Sequence, residues 1–156
     1  MTPLEIAVNE FNRISKLMGY VINPPYTGKP LKYDFGRGIP PEQPVFWQQY
    51  NDMLHMSNGL FADGHVFYGL KSDNEAHDLL EFNQTLNTPG LENKLMTGKI
   101  VIGHNNLDIF YYDVFIDRWV TCDRIGVDRI IESCNTLAEL IDTQIAMLKA
   151  SNSDIC

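Results

Sequence analysis

At 156 residues the chain can bury one core of ordinary size without disulfides or metal, and nothing in that length forces a second domain. An apolar share of 44%, with eight Phe, seven Tyr and two Trp, excludes a disordered chain. Twelve basic against twenty acidic residues give a net charge of -8, which repels phosphate backbones, argues against nucleic acid as a partner and favours basic proteins.

The charge is uneven along the chain. Residues 60–92 hold Asp63, Asp73, Glu75, Asp78, Glu81 and Glu92 against Lys71 alone, and residues 104–143 hold eight acids against Arg118, Arg124 and Arg129. The first 45 residues, with Arg13, Lys16, Lys29, Lys32 and Arg37 against four acids, are slightly positive. An acidic face is therefore expected to come from the later two-thirds.

The elements begin with a helix over about 3–18. Thr2 suits the N-cap, Pro3 the first helical position and Glu5 a capping box, while Leu4, Ala7, Phe11, Ile14 and Met18 recur at helical spacing before Gly19. Residues 23–44 carry too many Pro and Gly for helix or central strand and read as an ordered connection pinned by Tyr26, Tyr33 and Phe35. A second helix follows from about Val45, burying Phe46, Trp47, Tyr50, Met53 and Leu54 and ending at Asn58-Gly59.

His65-Val66-Phe67-Tyr68-Gly69-Leu70 reads as a strand, and Ser72-Asp73-Asn74-Glu75 as a capping box opening a helix through Leu79, Leu80, Phe82 and Leu86. Three short-linked strands are expected next, at Ile100-Val101-Ile102, Asp108 to Val114 and Trp119 to Cys122. A closing helix carries Leu137, Leu140, Ile141, Ile145 and Leu148 on one face, with Thr136 and Glu139 as its cap. The order predicts an α+β class, an antiparallel meander packed against helices, in one domain spanning 1–156.

Chemical motifs are sparse. Neither a GxxxxGK[ST] nor a GxGxxG phosphate loop occurs, and no GxSxG elbow. His55, His65, His77 and His104 form no HxxxH or HxH pair, and no cysteine lies at zinc-ligand spacing from them. Asp73, Glu75 and Asp78 lack the alternation, central Gly and distal Glu of a calcium loop. No cofactor, metal site or catalytic residue is expected. Cys122, Cys134 and Cys156 are odd in number and read as free thiols of a reducing compartment; the N-terminus shows no leader pattern and no apolar run reaches the roughly 20 residues that span a bilayer, so a cytoplasmic protein without membrane contact is expected.

The order of the pieces carries more than any one of them. A helix with aromatics ending in Asn58-Gly59, then a strand closing in Phe67-Tyr68-Gly69-Leu70, then Ile100-Val101-Ile102-Gly103, Leu107-Asp108-Ile109-Phe110-Tyr111-Tyr112-Asp113 and Trp119-Val120, with the last helix opening near Ser133-Cys134-Asn135-Thr136-Leu137-Ala138-Glu139-Leu140, resembles the SMI1/KNR4 (SUKH) family over about residues 40–148. Two features depart from that pattern: an apolar turn, Val114-Phe115-Ile116-Asp117-Arg118, and a long Pro-rich segment at 23–44.

The resemblance implies a non-catalytic α+β binding module. Bacterial members of the family are frequently immunity proteins that neutralise a toxin domain, many of them nucleases, whose basic substrate cleft an acidic protein can occupy. A cognate toxin domain is thus the expected partner, the protein being a monomer or weak dimer. The alternative the resemblance leaves open is a regulatory or scaffold module binding a housekeeping protein, with an enzyme built around the histidines behind both. Recognition is expected to use exposed acids, Asp63, Asp73, Glu75, Asp78, Asp108 and Asp113, whereas Asn58-Gly59, Tyr111, Tyr112 and Trp119 are expected to serve the fold.

Overall fold

The computed structural model describes residues 1–70, 78–87 and 95–154. Among them run α1 (Pro3–Leu17), α2 (Pro44–Met56), β1 (Leu60–Ala62), β2 (His65–Phe67), α3 (Leu79–Thr85), β3 (Lys99–His104), β4 (Asp108–Asp113), β5 (Arg118–Asp123), β6 (Ile130–Cys134) and α4 (Leu137–Ser151). The strands pair antiparallel in sequence order as one six-stranded meander, with helices packed on it. The α+β expectation holds.

Two strands were not foreseen. β1 has only three residues, too few for a period to show. β6 is exposed at four of its five positions and shifts register against β5 between Thr121 and Cys122, so no apolar alternation marks it. The closing helix starts at the expected cap: Thr136 accepts the Glu139 amide at 3.2 Å, and the Glu139 carboxylate takes the Asn135 amide at 2.7 Å.

α1 begins and ends as its sequence dictates. Thr2 Oγ1 accepts the Glu5 amide at 3.1 Å and Pro3 fills the first turn, though the Glu5 carboxylate takes the Thr2 hydroxyl at 3.3 Å, not the backbone amide of a full capping box. At the other end Gly19 has φ +91°, and the Tyr20 and Gly19 amides return to the Ser15 and Lys16 carbonyls at 3.0 Å, the paired bonds of a Schellman stop.

α1 and α2 bury their apolar sides on one face of the sheet. Phe46 of α2 stacks on Tyr50 at 5.2 Å and on Trp119 of β5 at 5.6 Å, and Phe11 of α1 meets Phe67 of β2 edge-on at 6.0 Å. Such aromatic contacts add about 1 kcal/mol each beyond area burial. In register, Tyr112 lies between Ile100 and Trp119, Asp113 between Lys99 and Arg118, and Asp108 opposite Asp123.

The Pro-rich connection is ordered and bonded along its length. The Tyr26 amide donates to Leu54 O (2.8 Å) and Pro24 O accepts from the Asn58 amide (2.9 Å). Asn51 of α2 holds Leu31 at both backbone groups, at 2.9 and 3.0 Å. Phe35 is buried and stacks on Trp47 at 5.6 Å, with Tyr26 and Tyr33 half-buried against the core. Arg37 then reaches across to α3 and β3, donating to Asn83 O and Oδ1, Asn87 Oδ1 and Lys99 O at 2.6–3.0 Å. Burial with neutral oxygens as acceptors lowers its guanidinium to about 10, still charged at neutral pH.

α3 seals a gap in the sheet. β2 pairs with β3 only at Val66 and Phe67, and one further bond runs from the Tyr68 amide to Ile102 O. Beyond that point the fully buried Asn83 replaces a strand: its Oδ1 accepts the Val101 amide at 2.9 Å and its Nδ2 donates to Val101 O at 2.7 Å. The N-cap of this helix is Asp78; the capping box expected at Ser72-Asp73-Asn74-Glu75 lies outside the described residues.

Candidate functional site

The family-like motif residues are consumed by the fold. Asn58 Oδ1 accepts the Leu70 amide at 2.7 Å and Asn58 Nδ2 donates to Leu70 O at 2.9 Å, so one side chain pairs with a backbone as a strand would. The two segments pass so closely that a Cβ on Gly69 would stand 2.4 Å from Asn58 O, and one on Gly59, where φ is +89°, 2.9 Å from the Gly69 amide nitrogen. Tyr50 Oη donates to Tyr68 O at 2.6 Å, burial holding this phenol protonated far above its usual range. Trp119, Tyr111 and Tyr112 are all buried. This clamp joins the end of α2 to the β1–β2 hairpin, and Asn58, Gly59 and Gly69 also line a cleft of about 360 Å³ with Tyr20 and Asn23.

The acids singled out from sequence are scattered. Asp78 is 7% exposed and spends its Oδ1 on the Leu80 and Glu81 amides, both at 2.9 Å, which removes it from any recognition face. Asp63 is exposed in the β1–β2 turn, with Asn152 Nδ2 3.3 Å from its Oδ2. Asp108 is half-buried at the start of β4 and tied to a polar chain: its Oδ2 accepts Asn105 Nδ2 at 3.4 Å, and Asn105 and His65 both donate to Gln144 Oε1. Asp113 lies at the opposite end of β4, accepting the Phe115 amide at 3.0 Å between Lys99 and Arg118. Asp63 and Asp108 share one end of the sheet and Asp113 the other, so these residues do not form one surface. Asp73 and Glu75 lie outside the described residues.

Acids do converge elsewhere. Two adjoining clefts, about 420 and 320 Å³, share Thr2, Leu4 and Asp52 and run between the first turns of α1 and α4 and the outer side of α2. Their walls bring together four carboxylates, Glu5, Asp52, Glu139 and Asp142, with Gln48, Gln49, Thr136 and His55 between them. Local sequence explains the gathering: each of the two helices opens Thr-x-x-Glu, which places an acid in the first turn where the helix dipole favours it. Gln49 Oε1 accepts the Leu137 amide at 2.9 Å and so ties α2 to the start of α4.

Not all four carboxylates are equally committed. Glu5 and Glu139 serve their own caps. Asp52 and Asp142 have no hydrogen bond or ion pair among the described residues, where the acids paired with cations are Glu10 and Glu42. Partial burial and then the neighbouring Glu139 charge raise the Asp142 carboxyl above its usual range, against the opposing pull of Lys149. A cation brought to this cleft would relieve that repulsion. The chemistry on offer is acceptor-rich, suited to Lys or Arg side chains.

Glu5 and Glu139 read as helix caps in the sequence, and no local pattern marks Asp52 or Asp142. Charge along the chain also assigned the acidic face to the later two-thirds, whereas half the cleft carboxylates come from the first 56 residues. The Thr-x-x-Glu repeat at both helix starts was the available signal.

Groups that could carry other chemistry are dispersed. His55 Nε2 donates to Gly28 O (3.2 Å), His65 bonds Gln144 (2.7 Å) and His104 bonds the Tyr68 hydroxyl (2.7 Å). His77 lies outside the described residues. Among the described residues no three His, Cys, Asp or Glu side chains gather to hold a metal. Cys122 and Cys134 are buried, and burial pushes both thiols up, Cys122 to about 11. Among the described residues no helix is long and apolar enough to cross a membrane.

Comparison with family models, curated proteins and solved structures finds no match to this chain.

Proposed function

We propose that this chain is a non-catalytic acidic binding protein that receives a basic segment of a protein partner in the cleft between α1, α2 and α4, and that it acts as an immunity protein neutralising a toxin domain. The observation that carries the binding reading is the pair Asp52 and Asp142, two carboxylates without a hydrogen bond or ion pair among the described residues, which line one cleft with the capped Glu139 beside Glu5 of the adjoining cleft. The net charge of -8 supports it by steering a basic partner toward the molecule.

The immunity role rests on the ordered motif resemblance over residues 40–148. A basic substrate cleft, as nucleases need for phosphate, is the chemistry such a surface would cover. Inspection of the neighbouring genes for a toxin domain, followed by coexpression with the one found, tests the role: cells are expected to survive, and the two proteins to purify as a stoichiometric complex. Continued killing together with no complex in the pull-down overturns it.

A further inference from the structure

We draw no further inference here: the strongest candidate, the exposed isoleucine patch of the β5–β6 loop and edge strand β6 (Ile125, Ile130 and Ile131), carries nothing because no feature of the structure shows what covers it.

Discussion

The clamp around Asn58 and the cleft around Asp52 both carry short polar side chains and differ in what remains unspent. Asn58 gives both ends of its amide to Leu70, and Gly59 and Gly69 vacate the space that lets the chains cross. Asp52 and Asp142 give nothing to the fold among the described residues. A polar side chain that completes backbone bonds is structural however conspicuous its motif. One left unpaired beside a cleft is available for recognition. Substitutions should therefore separate the two regions cleanly, the clamp answering in stability and the cleft in binding.

The largest effect is expected at Gly69. A methyl group there meets backbone, not a mobile side chain, so Gly69→Ala should cost about 3 kcal/mol, read as a lowered urea midpoint at unchanged slope. Asn58→Ala leaves the Leu70 amide and carbonyl without their partner and should cost about 2 kcal/mol in the same measurement. Asp78→Ala removes the cap of a helix whose Asn83 closes the sheet, with an expected loss of about 1 kcal/mol. If Asp78 instead contacts the partner, this variant would lose affinity while folding normally, and the division drawn between structural and free acids would fail at that residue.

The smallest stability effects belong to the cleft. Asp52→Asn and Asp142→Asn should each stay within about 0.5 kcal/mol of the parent. For Asp142 the sign is fixed. Its folded carboxyl titrates above the ordinary value of 3.8, so its contribution is present below that pH and is lost as pH rises through the raised folded value. Asp142→Asn should consequently unfold at a slightly higher temperature than the parent at pH 7, the gap closing as pH falls toward 3.8. A variant that unfolds at a lower temperature than the parent at pH 7, with the difference closing toward acid, would mean that the charge is stabilising.

Much of the fold was legible because local rules and burial agreed. The Thr2 cap, the Gly19 stop, the aromatic face of α2 and the strands β3, β4 and β5 each follow from a short pattern whose buried positions are mostly apolar, Ser15, Asn51 and Thr121 apart. β6 escaped because it lies at an edge where Ile130 and Ile131 stay half-exposed and no alternation is required. The site was less legible for a different reason. The four cleft carboxylates are brought together by the packing of α1, α2 and α4, with Asp52 and Asp142 90 positions apart in the chain. Sequence charge density pointed to Asp63, Asp108 and Asp113, which the meander distributes to opposite ends of the sheet. Density along the chain does not measure convergence in space.

Whether the partner reads the cleft and not the turns of the sheet is tested most directly by affinity measured on two charge-reversed proteins, Asp52→Lys with Asp142→Lys and Asp63→Lys with Asp113→Lys. Both pairs change the net charge equally, so steering by the overall field is matched between them. The cleft pair is predicted to weaken binding of the copurifying partner by about 100-fold and the turn pair by no more than about threefold. Equal losses, or a larger loss from the turn pair, would contradict recognition through the cleft.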